Sequence, residues 1–134
     1  MLRVSVHGKC YVPEERVIAN AAHALTLGLP LIEGLPAADE GPLALVGGGP
    51  STALHLDELR AWKGRVWGIN GTHQWLRSHG IEATLFSVDP GEELADLTAG
   101  ATSAVLASHC DPQVFANLQG AHVVIFNSEH VAGA

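Results

Sequence analysis

The chain has 134 residues, of which 47% are hydrophobic and 16% charged. This size and composition predict one folded domain and exclude a disordered chain or two full-sized domains. The net charge of −7 disfavours binding to nucleic-acid phosphates or to anionic membrane surfaces. No apolar run approaches the roughly 20 residues that cross a bilayer, and the first residues lack the pattern of a signal peptide. We therefore expect a cytoplasmic protein that binds neither nucleic acid nor membranes.

The first forty residues differ in pattern from the rest of the chain. Residues 2–6 alternate apolar and polar side chains and predict a short strand. A helix is expected to begin at Pro13, because a proline followed by two glutamates favours a first helical turn. Residues 34–42 then predict a connector. We divide the chain into a helical lead-in and connector over residues 1–41 and a second domain over residues 42–134.

From residue 42 onward, short apolar runs alternate with helical patterns. The predicted strands cover residues 43–46, 65–69, 83–88, 103–107 and 121–126. The predicted helices cover residues 51–62, 70–79, 92–97 and 112–118. In the first of these helices, Leu54, Leu59 and Trp62 are expected to face the core. The alternation predicts an α/β fold, a Rossmann-like three-layer sandwich with a mostly parallel, doubly wound sheet of about five strands.

The most informative stretch is residues 42–51, Pro-Leu-Ala-Leu-Val-Gly-Gly-Gly-Pro-Ser, which joins a predicted buried strand to a predicted helix. Glycines at such a turn let a phosphate approach the backbone N–H groups, because no Cβ stands in the way. Pro50 favours the helical backbone, and Ser51 is a candidate cap. The alternative is a tight turn that only packs the helix against the sheet. No lysine follows as in a Walker A loop, and Thr52 stands where a dinucleotide fingerprint has glycine.

Polar residues follow the predicted strands at their carboxyl ends, where open α/β sheets bind ligands. Asp89 is suited to hold Mg²⁺ against nucleotide phosphates, or it forms an Asp-Pro-Gly turn. Asn70 is a candidate donor to a ribose or a phosphate, or a cap of the next helix. His109 is a candidate acid or base, or part of a turn. Trp75 is either a core side chain or a stacking surface for a base or a pterin ring.

The cysteines and histidines predict no metal site. Cys10 and Cys110 lie far apart in the sequence and form no metal or redox motif. They are expected to be free thiols in a reducing compartment. The eight histidines show no ligand spacing beside an acidic residue, so we assign no zinc site.

Four segments, taken in order, carry a resemblance to a known family. They are residues 45–51, 67–70, 79–81 and 86–90. Over residues 42–127 the chain resembles the archaeal hydroxymethylpterin diphosphokinase-like family, which includes motility-associated glycosyltransferase-like proteins and uncharacterised bacteriophage proteins. Its members share a Gly-x-Gly-Pro-Ser loop, an asparagine after the second strand and an aspartate at the end of the third.

The resemblance implies a Rossmann-like fold and, for the kinase members, Mg²⁺-dependent transfer of diphosphate from ATP to a pterin alcohol. It implies a nucleotide site on the loop and the asparagine, with Mg²⁺ on the aspartate; catalytic residues stay unassigned. The matching positions are Gly47, Gly48, Gly49, Pro50, Ser51, Asn70 and Asp89. Family members continue past the fifth strand with a Gly-x-Asp motif, whereas this sequence ends at Ala134, so we expect a truncated relative or a fragment.

Three functions follow from these features. The first is a Mg²⁺-dependent transferase of the diphosphokinase or glycosyltransferase type that binds ATP or another nucleotide. The second is a non-catalytic, phage-type module that binds a nucleotide or a phosphorylated sugar. In both, the partner is a small molecule that contains phosphate. The third is an assembly protein whose fifth strand lies at a sheet edge and pairs with a second copy in a homo-oligomer. Because a fold does not fix a function, the alternatives stay open.

Overall fold

The computed structural model describes residues 11–35 and 41–128. Five parallel strands form one sheet: β1 (Leu43–Val46), β2 (Arg65–Ile69), β3 (Thr84–Ser87), β4 (Ser103–Ala107) and β5 (His122–Phe126). The α-helices are α1 (Glu14–Leu25), α2 (Leu56–Arg60), α3 (Thr72–Ser78) and α4 (Pro112–Asn117), and 3₁₀ segments cover Ile32–Gly34, Pro50–His55 and Glu92–Leu97. The predicted α/β Rossmann-like sandwich with a parallel sheet is confirmed. The strand predicted at residues 2–6 lies outside the described residues.

The five described strands lie in the sheet in chain order, β1-β2-β3-β4-β5. They do not show the reversal of strand order that a doubly wound sheet would have. All strands are parallel, so their carboxyl ends lie along one edge of the sheet. β5 ends the sheet, as expected, but the N–H of Ile125 donates to the carbonyl of Pro30 at 3.0 Å, and Leu31 bridges Ile125. Pro30 and Leu31 therefore occupy part of the β5 edge, where the assembly alternative places a second copy of the chain.

One face of the sheet packs against helices. Val46, Gly68, Leu85, Ala104 and Val123 are in register across the five strands and share this face. Two clusters of buried side chains cover it. One joins β3, β4 and β5 to α4 and to the C-terminal end of α1, and the other joins β1 to α3. Burial of these apolar side chains is what fixes the helices on the sheet.

α3 lies very close to β2, and Gly68 makes this approach possible. A Cβ at Gly68 would lie 2.5 Å from the backbone nitrogen of His73. The His73 side chain is fully buried. Its Nε2 donates to the carbonyl of Leu97 at 2.6 Å, and its Nδ1 accepts from Nη2 of Arg77 at 2.9 Å. Burial lowers the pKa of His73, so the ring is neutral and ties α3 to the segment before β4.

The opposite face of the sheet carries three stacked aromatic rings. Trp67 and Phe86 stack with ring centroids 5.5 Å apart, and Phe86 and Phe126 stack at 5.7 Å. Offset stacking at these distances adds to the energy of burial. None of the helices in residues 11–35 and 41–128 combines the length and the apolar character that a membrane span requires.

The segment over residues 51–62, predicted as one helix, departs most from its prediction. It forms a 3₁₀ segment to His55 and only then the short α2. Because a 3₁₀ segment has three residues per turn rather than 3.6, the buried face shifts. Leu54 is 82% exposed and Trp62 is 40% exposed, so their expected core positions are wrong, whereas Leu59 packs against the cluster beneath α3. Trp62 instead donates from Nε1 to the carbonyl of Arg65 at 3.2 Å.

Candidate functional site

The glycine loop, residues 47–49, follows β1 directly and leads into the 3₁₀ segment that Pro50 begins. Thr52 holds its shape, because the Thr52 hydroxyl donates to the carbonyl of Gly47 at 2.7 Å and the Thr52 N–H donates to the carbonyl of Gly49 at 3.1 Å. Gly49 is the N-cap residue, and no side chain caps this turn. The capping role expected for Ser51 is therefore wrong. Ser51 is an exposed residue of the first turn.

The loop presents backbone N–H groups that nothing else uses. Among the described residues, no hydrogen bond takes up the N–H of Gly47, Gly48 or Gly49. The N–H of Ser51 lies in the first turn, where a helix supplies no acceptor, and no described residue accepts from it. Gly48 and Gly49 are exposed, and Gly47 is half-buried. Successive free N–H groups of this kind bind anions, phosphate groups above all.

The fold itself does not demand glycine at two of the three loop positions. None of the three has a positive φ. A Cβ at Gly47 or Gly49 would meet no atom within 4 Å, whereas a Cβ at Gly48 would lie 3.1 Å from Oγ1 of Thr72. Open space above the backbone is what the approach of a ligand requires.

A pocket of about 330 Å³ opens between the glycine loop and α3. The described residues that line it are all uncharged, and all but one are small. They are Gly48, Gly49, Pro50, Thr52, Ala53, Gly71, Thr72 and the large aromatic Trp75. Pockets of about 300 Å³ and above hold small molecules. A larger cavity of about 460 Å³ lies between α1 and α4. That cavity contains none of the predicted site residues, so we place the candidate site at the glycine loop.

Asn70 lies between β2 and α3 with φ at +51°, the one positive φ of a non-glycine residue within residues 11–35 and 41–128. Asparagine tolerates this left-handed conformation better than most residues. Its N–H donates to the carbonyl of Phe86 at 3.0 Å, and its Oδ1 accepts from the hydroxyl of Ser87 at 2.6 Å. Gly71 is the N-cap of α3, and no side chain caps it. Asn70 is thus not the helix cap that was the alternative; it joins the ends of β2 and β3.

Asp89 follows β3 in a turn. Its Oδ1 accepts from the N–H of Gly91 at 2.8 Å, which is the turn geometry expected for Asp-Pro-Gly. The same oxygen accepts from the hydroxyl of Tyr11 at 2.9 Å. No hydrogen bond to Oδ2 is present among the described residues. Within residues 11–35 and 41–128, one carboxylate oxygen is therefore used by the protein, and the other has no partner.

The N-terminal segment contacts a group of carboxylates that we call the acidic edge: Asp89, Glu92, Glu93 and Asp111. The hydrogen bond to Asp89 is the main cause that raises the pKa of Tyr11 to about 12. Arg16 lies in the first turn of α1, and its Nη2 forms ion pairs with Glu92 at 3.3 Å and with Asp111 at 3.1 Å. Asp111 is also the N-cap of α4, where it accepts from the N–H of Gln113 at 2.9 Å. Sequence reasoning missed these contacts, because Tyr11 and Arg16 lie about eighty residues or more from their partners.

The burial and the hydrogen bonds of His109 favour a structural role over a role as an acid or base. His109 is 6% exposed. Its Nε2 donates to the carbonyl of Val88 at 2.5 Å, and its Nδ1 accepts from the hydroxyl of Ser128 at 2.9 Å. Both ring nitrogens are thus engaged by the protein, and the ring joins the ends of three strands.

The structure gathers the predicted site residues into two neighbouring groups. Gly48, Gly49 and Pro50 line the pocket, and Gly47, Ser51 and Asn70 are chain neighbours of lining residues. Asp89 belongs to the acidic edge and does not line the pocket. Neighbouring strands lie about 4.8 Å apart, so the ends of β1 and β3 are separated by about 10 Å. Sequence reasoning left Trp75 open and gave Thr72 no role of its own; both line the pocket.

Metal ligands are sparse around this edge. Within the described ranges, no three His, Cys, Asp or Glu side chains lie close enough together to hold a metal ion. Mg²⁺ needs few protein ligands when a substrate supplies phosphate oxygens, and one or two carboxylates then suffice. Asp89, with Oδ2 available, fits the role of such a single ligand.

Comparison of the chain with protein-family models, with curated proteins and with solved structures finds no match.

Proposed function

We propose that this protein is a Mg²⁺-dependent nucleotide-binding protein of the transferase type, a diphosphokinase or a glycosyltransferase, that takes ATP or another nucleotide. One observation carries the proposal: among the described residues, nothing accepts from the N–H groups of three consecutive loop glycines, and two of them, Gly48 and Gly49, line a pocket of about 330 Å³ at the carboxyl edge of the sheet. The phosphates would accept hydrogen bonds from Gly47, Gly48 and Gly49. The resemblance to the diphosphokinase-like family supports the transferase type.

The charge of the site supports a requirement for a cation. No described residue that lines the pocket is charged, and the whole chain carries a net charge of −7. A polyphosphate would therefore enter without a lysine or arginine from this described lining to neutralise it. Mg²⁺ supplies that charge when bound, and Asp89 would hold it from the end of β3. The separation of about 10 Å between the ends of β1 and β3 is suited to a chain of phosphates.

Transfer itself would depend on positioning. Phosphoryl transfer needs little covalent chemistry from the protein, so N–H donors and a fixed cation supply most of what the reaction requires. Asn70 and Ser87 lie between the loop and Asp89 and are joined by a 2.6 Å hydrogen bond. In this proposal the pair keeps the two halves of the site at a constant separation. The cytoplasm is the proposed compartment, in keeping with a free buried thiol at Cys110.

Thermal unfolding in the presence of nucleotides tests the proposal. We would add ATP, other nucleotides and nucleotide sugars, each with and without Mg²⁺. A ligand at one hundred times its dissociation constant adds about 2.7 kcal/mol to the free energy of unfolding. We expect a Mg²⁺-dependent gain in the wild type that Asp89→Ala abolishes.

The matched control for that variant is Glu93→Ala, because Glu93 is the other carboxylate that accepts from Tyr11, at 3.4 Å. Glu93→Ala should keep the Mg²⁺-dependent gain. If both variants keep it, Asp89 does not hold the metal. If no nucleotide raises the unfolding temperature of the wild type, the nucleotide proposal fails.

The non-catalytic module is the second candidate, and the state of Asp89 favours it. One oxygen of this carboxylate is committed to Gly91 and Tyr11, so Asp89 offers a metal only Oδ2, whereas binding at the loop needs no contribution from Asp89. Incubation with the ligand found by thermal unfolding separates the two functions. A transferase converts or hydrolyses the nucleotide, whereas a phage-type binding module returns it unchanged.

A further inference from the structure

The pocket beside the glycine loop contains two side chains with chemistry of their own, Thr72 and Trp75. Thr72 begins α3 and is 8% exposed. No described residue forms a hydrogen bond with its hydroxyl. Trp75 lies one turn further along α3 and packs on the buried cluster beneath it. Both line the pocket together with Gly48 and Gly49.

We propose that the pocket takes a phosphate ester that carries a planar heteroaromatic ring, with the ring stacked on Trp75 and a phosphate oxygen bound by the Thr72 hydroxyl. The inference rests on the proposed function and names the ligand class of that site and two residues that determine its specificity. A nucleoside monophosphate is the simplest molecule of this class.

The position of Thr72 indicates the phosphate. Thr72 is 8% exposed, and no described residue pairs with its hydroxyl. Among the described residues, Nε of Arg77 is the one enclosed side-chain polar atom without a partner, so the Thr72 hydroxyl is open to the pocket that it lines. Oγ1 of Thr72 would lie only 3.1 Å from a Cβ placed on Gly48, so the hydroxyl faces the loop whose N–H groups are free. A phosphate bound there would accept from the hydroxyl and from the loop N–H groups together. Such mixed backbone and hydroxyl donors suit an anion where no charged side chain lines the pocket.

The position of Trp75 indicates the ring. It is the one aromatic side chain among the described residues that line the pocket. The ring of His79 lies against it with centroids 4.6 Å apart and planes inclined at 48°, and this contact limits the rotation of the indole. Bases stack on aromatic side chains whatever their hydrogen-bonding edge, and loss of one such platform weakens binding about 10-fold or more.

Tryptophan fluorescence and calorimetric titration test the proposal with defined probes. In the presence of Mg²⁺, the wild type would be titrated with the four nucleoside monophosphates, the four nucleosides, ribose 5-phosphate and pyrophosphate. The best monophosphate should quench the fluorescence and bind at least about 10-fold more tightly than ribose 5-phosphate, which lacks the ring, and than its own nucleoside, which lacks the phosphate.

Four substitutions separate the two contacts. Trp75→Leu should lower the affinity for the monophosphate to that for ribose 5-phosphate, and Trp75→Phe should restore most of it. Thr72→Val should lower the affinity for the monophosphate and leave the affinity for the nucleoside unchanged. Thr72→Ser should restore the affinity for the monophosphate. Trp62→Leu, at an exposed tryptophan outside the pocket, is the matched control and should change nothing. Trp75→Phe keeps an aromatic ring in the cluster, so it remains informative if Trp75→Leu does not fold.

Three results would overturn the proposal, and they differ in what they imply for the proposed function. If ribose 5-phosphate or pyrophosphate binds as tightly as the monophosphates, the ring is not recognised, although the phosphate site of the proposed function stands. If no phosphate compound binds in the presence of Mg²⁺, the proposed function fails with it. Equal affinities of wild type, Thr72→Val and Trp75→Leu for a monophosphate that does bind would place the ligand elsewhere on the molecule.

Discussion

The hydroxyl of Tyr11 donates to Oδ1 of Asp89 across a distance of 2.9 Å, although 78 residues separate them in the chain. This bond joins the segment before α1 to the carboxyl end of β3. It engages the carboxylate that the family resemblance assigns to Mg²⁺ and leaves the second oxygen available. The structure thus shows an aspartate that belongs both to a turn and to the edge of a candidate site.

The titration of Tyr11 tests this contact directly, because Tyr11 is the single tyrosine of the chain. Its pKa should lie near 12 rather than the ordinary 10.0, chiefly because the phenol donates to Asp89. The raised pKa means that the protonated phenol is the form that the fold stabilises. This contribution to stability is complete below about pH 10 and is lost as the pH rises toward 12. The ultraviolet absorbance of the phenolate measures the pKa.

Asp89→Asn should bring the pKa of Tyr11 back toward 10.0, and Glu93→Gln should move it less, because Glu93 contributes more weakly. A wild-type tyrosine that titrates near 10.0 would show that Tyr11 does not hold Asp89 in solution.

A pair of glycine substitutions distinguishes structural from ligand-facing glycines. Gly68→Ala places a Cβ 2.5 Å from the backbone of His73, so α3 must shift, and the free energy of unfolding should fall by about 1–3 kcal/mol or more. Gly47→Ala meets no atom within 4 Å, and its effect should stay within about 0.5 kcal/mol. Urea unfolding measures both. A large loss for Gly47→Ala would mean that the loop glycine is required by the fold, which would remove one argument for a ligand.

Acid should destabilise the fold through His73. Burial lowers the pKa of its ring below the ordinary 6.5, and the nearby guanidinium of Arg77 lowers it further. Because the unfolded chain takes up this proton more readily, His73 contributes stability above pH 6.5 that is lost as the pH falls toward its folded pKa. Urea unfolding across this range measures the effect as the difference between the wild type and His73→Asn. An unchanged dependence in His73→Asn would contradict the assignment.

The thiol of Cys110 should be inert in the folded protein. Cys110 is fully buried, and burial is the main cause that raises its pKa to about 12. A thiol reagent reacts with the thiolate, so modification should require unfolding. The experiment uses a Cys10→Ser variant, in which Cys110 is the only cysteine, with and without denaturant. Rapid modification of the native variant would show that the space beneath α4 opens readily.

Local patterns predicted the sheet well and the contacts across it poorly. β1, β2 and β4 occupy the predicted residues, because continuous apolar runs bounded by turn residues identify strands. The burial predicted for β1 is wrong: only Val46 is buried, because Leu43 and Leu45 lie on the face opposite the helices. The start of the helix after the glycine loop was wrong, since nothing in its residues distinguishes a 3₁₀ turn from an α-helical one. The roles of Tyr11 and Thr72 depend on residues that are far apart in the sequence or on which polar groups stay unpaired after folding. No periodicity within a short window carries that information.

The most direct test of the loop as a phosphate site follows its amide resonances in isotope-labelled protein during titration with a nucleotide and Mg²⁺. We expect the N–H resonances of Gly47, Gly48 and Gly49 to move most, since these groups would gain a phosphate acceptor that no described residue supplies. A Gly49→Ala variant, whose Cβ meets no protein atom within 4 Å, should fold normally and bind more weakly. Saturable binding that leaves the three glycine resonances in place would show that the loop is not the phosphate site. The absence of any change with every nucleotide tried would show that the protein binds none of them.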